Sequence, residues 1–75
     1  MEEENLRWCE CIAEPRGEGG LEGYVKGELY RYQLMEEAHY PPYCRVYPDQ
    51  DNPEYYETCG PVTFSKFFTP ALPAL

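Results

Sequence analysis

Clusters of glycine, proline and other turn-forming residues divide this chain into short segments, and this division limits what it can fold into. The chain has 75 residues, of which six are glycine and eight are proline. The clusters fall at residues 14–20, 41–42, 48–53 and 60–61. Gly and Pro disfavour the interior of helices and strands, and Gly23 and Gly27 also interrupt the longest segment between the clusters, so no long helix is expected. The sequence therefore predicts short strands.

The segments between the clusters alternate in the way that is typical of half-buried strands. Cys9 and Cys11 share one face of the first segment, and Tyr30 and Tyr32 share one face of the second. Residues two apart share a face because successive side chains of a strand point to opposite sides. We predict strands at residues 6–13, 28–34, 43–47 and 54–59.

The connections between these strands are predicted to be irregular. Residues 14–20 combine Gly, Pro and charge, which predicts a mobile, exposed loop. Residues 35–42 also predict an irregular connection, because two consecutive prolines cannot sit inside a paired central strand. Residues 48–53 are turn-forming throughout, so the third and fourth strands are expected to form a hairpin with a long acidic loop.

The end of the chain predicts one helical turn followed by a loosely held tail. Pro61 suits the first position of such a turn, because the N–H that proline lacks is not needed there. Phe64, Phe67 and Phe68 lie close to one side of the turn. The Pro-, Ala- and Leu-rich tail at residues 69–75 and the acidic N-terminus are both expected to be loosely held.

These elements predict one small domain that is mainly β. The domain spans residues 1–75, with an ordered core at about residues 6–68. Four or five short strands at roughly ten-residue spacing, with no long helix, are typical of a small, strongly twisted antiparallel barrel.

Four stretches of the chain resemble a family of very small phage and prophage proteins. The family pattern is a strand ending in Cys-Ile, a Gly-Leu loop, a Gly-x-x-Tyr strand, and a Tyr-rich hairpin that closes on a Phe turn. The matching stretches are residues 8–12, 20–32, 43–47 and 64–68. The resemblance implies an SH3-like barrel and a phage origin, and it implies no catalytic residues. The Gly- and Glu-rich loop and the Pro-Pro connection depart from the pattern.

The composition predicts a folded, acidic protein in the cytoplasm, and the resemblance to phage proteins implies that this is the cytoplasm of a host cell. Fourteen Asp and Glu residues against six Lys and Arg give a net charge of −8, on a chain that is 16% aromatic. Disordered acidic segments normally lack aromatic residues, so this chain is expected to fold. The N-terminus has neither the basic start nor the apolar run of a secretory signal, and no apolar run is long enough to span a membrane.

The four cysteines predict buried thiols without a cofactor, with a metal site and a disulfide as the alternatives. Zinc sites usually pair ligands separated by about two to four residues, whereas one residue separates Cys9 from Cys11. Cys44 and Cys59 stand alone in the sequence, and they lie on neighbouring predicted strands. They are therefore the pair most able to oxidise, although thiols stay reduced in the cytoplasm.

No arrangement of residues predicts catalysis or calcium binding. His39, the only histidine, lies in a Pro-flanked loop that would hold a catalytic triad poorly. A calcium loop beginning at Asp49 would need an oxygen ligand and a glycine where Pro53 and Glu54 stand. The sequence therefore predicts a protein that is not an enzyme.

Direct binding of nucleic acid is disfavoured by the charge. Single-strand binders combine aromatic side chains with a positively charged groove. Aromatic residues are plentiful here, but only Lys26, Arg31 and Arg45 could line one sheet, against fourteen acids. The electrostatics therefore predict that nucleic acid is not a direct partner.

The predicted binding surface lies in the acidic hairpin. No basic residue occurs between Arg45 and Lys66. Acidic side chains spaced along a hairpin can imitate a row of phosphates, and tyrosines add contact area. The sequence predicts a small inhibitor that binds a basic, nucleic-acid-binding groove of a host protein, as anti-CRISPR proteins and polymerase or nuclease inhibitors do. The predicted contact residues are Asp49, Asp51, Glu54, Glu57, Tyr47, Tyr55 and Tyr56.

Three other interpretations stay open. The acidic residues could form only a solubilising surface. The chain could be a structural or assembly protein that forms a homodimer through exposed Trp8, Phe67 and Phe68. It could also be a metal-binding module built on its cysteines, Cys9, Cys11, Cys44 and Cys59.

Overall fold

Five antiparallel strands form one sheet in the computed structural model, which is described for residues 6–71. The strands are β1 (Arg7–Cys11), β2 (Leu29–Glu37), β3 (Tyr40–Tyr47), β4 (Glu57–Cys59) and β5 (Phe68–Ala71). One helix, α1 (Pro61–Phe67), lies between β4 and β5. The strand order is β4-β3-β2-β1-β5. The predicted mainly β, antiparallel fold with a short helix near its end is confirmed, but the outer strands β4 and β5 do not pair to close a barrel within residues 6–71.

The sheet buries one face, and the cysteines and tyrosines of that face follow the predicted alternation. Cys9 is opposite Tyr30, and both side chains are buried. Tyr32 is opposite Val46, and these two side chains are also buried. Cys9 and Cys11 are fully buried, which confirms that both point inward from β1.

Helix α1 and the long connection between β1 and β2 cover this buried face. The connection contributes Leu21 and Tyr24, and the end of the chain contributes Phe64, Phe67 and Phe68. Aromatic pairs in edge-to-face geometry contribute beyond the area that they bury. The Tyr24 and Phe68 rings meet in this way, with their centroids 5.1 Å apart.

Helix α1 begins where the sequence predicts. Pro61 is its first residue, and the Phe64 N–H donates to the Gly60 carbonyl at 2.9 Å. The helix is longer than the single turn predicted and ends at Phe67. Phe68 is extended rather than helical, and it begins β5.

The predicted irregular connection at residues 35–42 is wrong, because β2 and β3 form a hairpin through this segment. Met35 pairs with Tyr43, and the register shifts between Met35 and Glu37. On its other side, β3 pairs with β4 only from Cys44 to Val46. Pro41 and Pro42 therefore lie beside an irregularity and on an open edge of the strand, where proline is tolerated.

The ordered region also continues past Phe68, where a loose tail is predicted. Residues 68–71 form β5 and pair with β1, with Thr69 opposite Glu10 and Ala71 opposite Trp8. The remaining tail, residues 72–75, and the acidic N-terminus, residues 1–5, lie outside the described residues.

The predicted loop at residues 14–20 contains a short 3-10 turn at Glu18–Gly20. The Gly17 N–H donates to the Leu21 carbonyl at 2.7 Å, and Lys66 of α1 forms an ion pair with Glu18. Gly17 has a φ of 90°, a backbone conformation that suits glycine.

Within the described part of the chain, no helix is long and apolar enough to cross a membrane.

Candidate partner-binding surface

The acidic loop, defined here as residues 48–56, connects β3 to β4. Strand β4 is shorter than the predicted strand at residues 54–59, because residues 54–56 belong to the loop. Internal hydrogen bonds hold its first half. Asp49 Oδ1 accepts from the Asp51 N–H at 2.9 Å, and the Asp49 carbonyl accepts from the Asn52 N–H at 3.1 Å. This Asx-type turn leaves the side chains of Asp49, Asp51 and Glu54 exposed.

The acidic loop folds back over the outer face of the sheet, the face opposite the core. Gln50 Nε2 donates to the Leu29 carbonyl of β2 at 3.1 Å. At the other end of the loop, the Tyr56 ring lies against Tyr47, with centroids 5.7 Å apart, and under the Arg45 guanidinium at 4.4 Å. The loop is thus held to the sheet near both of its ends.

The three predicted contact tyrosines differ in exposure. Tyr55 is 50% exposed and Tyr56 is 38% exposed, so both are accessible to a partner. Tyr47 is only 9% exposed. It lies on the outer face of β3, opposite Arg31 and against Tyr56, and so it supports the loop rather than presenting its ring.

Glu57 is an internal anchor rather than an exposed acid. It begins β4 opposite Val46, and its carboxylate accepts the Glu22 N–H and the Tyr55 hydroxyl, each at 3.1 Å. Burial, with the Glu57 carboxylate as the next cause, raises the pKa of Tyr24 far above its usual value. The hydrogen bond to Glu57 likewise raises the pKa of Tyr55. Glu57 therefore joins the β1–β2 connection to the acidic loop.

Replacing Glu57 with alanine should lower the free energy of unfolding by about 0.5–1.5 kcal/mol, because the exposed backbone N–H of Glu22 and the exposed Tyr55 hydroxyl exchange a protein acceptor for water. Chemical denaturation would measure the change. Glu54→Ala is the matched control, since Glu54 is exposed and should change stability by less than about 0.5 kcal/mol. Equal effects of the two substitutions would contradict the anchoring role of Glu57.

Two arginines lie on aromatic rings of the outer face. The Arg31 guanidinium lies 4.7 Å from the centroid of the Trp8 ring, and Arg45 lies over Tyr56. The Nε atoms of both arginines are buried without a hydrogen-bond partner. The ion pairs between described side chains join Arg16 to Glu14 and Lys66 to Glu18, and they involve neither of these arginines. Sequence reasoning missed this arrangement, because it depends on the register that places Trp8 and Tyr47 opposite Arg31.

The four cysteines are buried, as predicted, and their thiols are free in this structure. Burial raises the pKa of Cys9 to about 12 and that of Cys59 to about 11. Cys44 and Cys59 lie directly opposite one another on β3 and β4. Among the described residues, which include all four cysteines, no group of three or more His, Cys, Asp or Glu side chains could hold a metal ion.

The aromatic residues of the assembly interpretation are largely internal. Phe67 is 6% exposed and Phe68 is 2% exposed, so both belong to the core. Trp8 is half-buried and lies against the Arg31 guanidinium. These three residues do not form an exposed aromatic patch.

Comparison of the chain with protein-family models, with curated proteins and with solved structures found no match. The relation to small phage proteins stays a prediction. The function is therefore inferred from the contacts and charges of the chain itself.

Proposed function

We propose that this protein is a non-enzymatic inhibitor of phage origin that binds a basic, nucleic-acid-binding groove of a host protein in the cytoplasm. The observation that carries the proposal is the acidic loop, which presents the carboxylates of Asp49, Asp51 and Glu54 on a backbone held by internal hydrogen bonds. A binding surface that is already ordered loses less conformational entropy when a partner binds.

The charges of the loop are not neutralised from within the described structure. The ion pairs that form there join Arg16 to Glu14 and Lys66 to Glu18, away from the loop. Arg45, the nearest basic residue in sequence, lies on the ring of Tyr56 instead of on a loop carboxylate. The negative field of the loop is therefore available to steer a basic partner and to select it.

Tyr55 and Tyr56 supply apolar contact area, which the acidic side chains of the loop do not provide. Both rings are exposed, and each is held by a neighbour: the Tyr55 hydroxyl donates to Glu57, and Tyr56 packs on Tyr47. Tyrosines that are fixed in this way give contact area at low entropic cost. Acids and tyrosines together favour a specific protein contact over a merely solubilising surface.

The proposal includes an SH3-like barrel, which the resemblance to phage proteins implies. Strands β1 to β4 are neighbours in sequence order, and β5 returns to pair with β1 beyond the helix. The two outer strands, β4 and β5, therefore lie around one core. This arrangement supports a strongly twisted, barrel-like sheet.

The test compares two variants of equal net charge in capture experiments from host lysate. In D51K/E54K, two exposed loop acids are reversed while Asp49 and Glu57, which hold the loop, are kept. In E28K/E36K, two exposed acids outside the loop are reversed. Each reversal adds two charges, so both variants change the net charge from −8 to −4.

We expect wild type and E28K/E36K to capture the same protein, and a DNA or RNA oligonucleotide should displace it. D51K/E54K should lose about 100-fold or more in affinity for that protein. Binding should also weaken steeply as salt is raised, since surface charges are screened. Binding that is insensitive to salt, or equal loss in the two variants, would refute the proposed use of the acidic loop.

A further inference from the structure

A small pocket lies where the acidic loop meets the outer face of the sheet. Its volume is about 210 Å³. It is lined by Leu6, Trp8, Arg31, Tyr47, Asp49, Gln50 and Pro53. Three strands and the loop thus contribute to one concavity, which we call the sheet-face pocket.

The size of the sheet-face pocket limits what it can bind. Sites that enclose drug-sized ligands or cofactors have volumes of about 300–1,000 Å³. The pocket is smaller and is lined largely by aromatic and apolar side chains. A single planar ring system would fit it better than a whole cofactor or a peptide segment.

Arg31 contributes a planar, positively charged group to the lining of the pocket. Its guanidinium lies on the Trp8 ring at 4.7 Å. Its Nε atom is buried without a hydrogen-bond partner in the described part of the chain, although the protein is rich in acids. Guanidinium planes and aromatic rings are the surfaces on which proteins stack nucleobases.

Asp49 gives the pocket a fixed acceptor. Oδ1 takes the Asp51 N–H, which uses one of the roughly four acceptor sites of an ionised carboxylate. Asp49 lines the same pocket as Arg31, yet the two side chains form no salt bridge. A ligand in the pocket can therefore contact both side chains.

We infer that the sheet-face pocket binds a purine base, and guanine in particular. Guanine has an N2 amino donor next to its N1–H, and together these two donors suit a carboxylate such as that of Asp49. Its ring can stack on the face of the Arg31 guanidinium opposite Trp8, whose ring covers the other face. Adenine has a single amino group as donor on its corresponding edge, so it matches Asp49 less well.

The charges of the pocket disfavour the other small occupants. Arg31 repels a second guanidinium, such as the side chain of a partner arginine. Asp49 and the net charge of −8 repel a free phosphate. A neutral base avoids both penalties, and its binding does not depend on the proposed protein partner.

Trp8, the only tryptophan of the chain, reports directly on the pocket. Titration of the full chain with guanosine should change Trp8 fluorescence saturably, in the sub-millimolar range. Adenosine should bind about tenfold or more weakly, because it leaves the carboxylate poorly paired. Failure of guanosine to saturate, or tighter binding of adenosine or of arginine methyl ester, would overturn the inference.

Three variants separate base binding from a general effect on the fold. Asp49→Asn should weaken guanosine about tenfold or more and change adenosine little, since only guanine uses both donors on the carboxylate. Arg31→Lys keeps the charge but loses the stacking plane, and it should weaken both nucleosides. Asp51→Asn is the matched control and should bind guanosine like wild type.

The D51K/E54K variant distinguishes this inference from the proposed function. It should lose the host protein but keep guanosine, because neither altered side chain lines the pocket. Equal weakening of guanosine by Asp49→Asn and Asp51→Asn would refute the assignment of Asp49 to the pocket. Native circular dichroism and an unchanged midpoint of thermal unfolding would show that each variant is folded.

Discussion

Phe68→Ala should lower the free energy of unfolding by about 3–5 kcal/mol, the range for removing a buried aromatic ring. Phe68 is 2% exposed and packs against Tyr24, Tyr30 and Phe64, with ring centroids 5.1, 6.4 and 5.2 Å away. It also begins β5, so its loss weakens the pairing of that strand with β1. Since small domains are stable by only about 5–15 kcal/mol, this change removes a large part of the total.

Urea denaturation followed by Trp8 fluorescence would measure this loss. Val62→Ala, on the neighbouring helix, is the control: Val62 is 79% exposed and should change stability by less than about 0.5 kcal/mol. If Phe68→Ala does not fold, Phe68→Leu should fold with a smaller loss, because less volume is removed. A Phe68→Ala protein as stable as Val62→Ala would show that β5 does not close the core.

Alkaline pH should destabilise the protein strongly. The ordinary thiol pKa is 9.0, whereas burial raises that of Cys9 to about 12 and that of Cys59 to about 11. Below pH 9, both the folded and unfolded states keep these protons, and stability does not change. Above it, the unfolded state loses them first, so each thiol lowers the free energy of unfolding by about 1.4 kcal/mol per pH unit until its folded pKa is reached.

Denaturation curves between about pH 8 and pH 11 would test this expectation. Tyr24, whose pKa burial also raises, should add to the slope above its ordinary pKa of 10.0. Cys9→Ala should have a flatter pH dependence than wild type, because one of the titrating thiols is gone. The same slope in both proteins would mean that Cys9 does not keep its proton in the folded state.

Local sequence patterns predicted the parts of the fold that local geometry decides. The alternation of Cys9 and Cys11 is visible within one segment, and Pro61 marks a helix start by its own chemistry. Strand β5 has no such pattern, because Thr69 and Pro70 become strand residues only by pairing with β1. The hairpin through Pro41 was missed for a related reason, since only the short reach of β4 leaves that edge of β3 open.

The candidate site was predictable in part. Asp51 is exposed, as expected for an acid in the predicted turn, and Glu54 is exposed because it lies in the loop rather than in the predicted fourth strand. Glu57 is not, and the sequence holds the reason: it lies two residues from the buried Cys59, so both point to the same face of β4. The sheet-face pocket could not be predicted, because it forms only where the loop returns to a different strand.

The prolines of the strands also bear on how this protein behaves at high concentration. An open strand edge offers unpaired N–H and C=O groups, and edge-to-edge addition of further chains can then lead to fibres. Pro41 and Pro42 lie on the open edge of β3, and Pro70 lies in the outermost strand β5. None of the three has an N–H to offer to an incoming chain. Within residues 6–71, proline thus limits edge-to-edge addition at β5 and at the part of β3 that β4 does not cover.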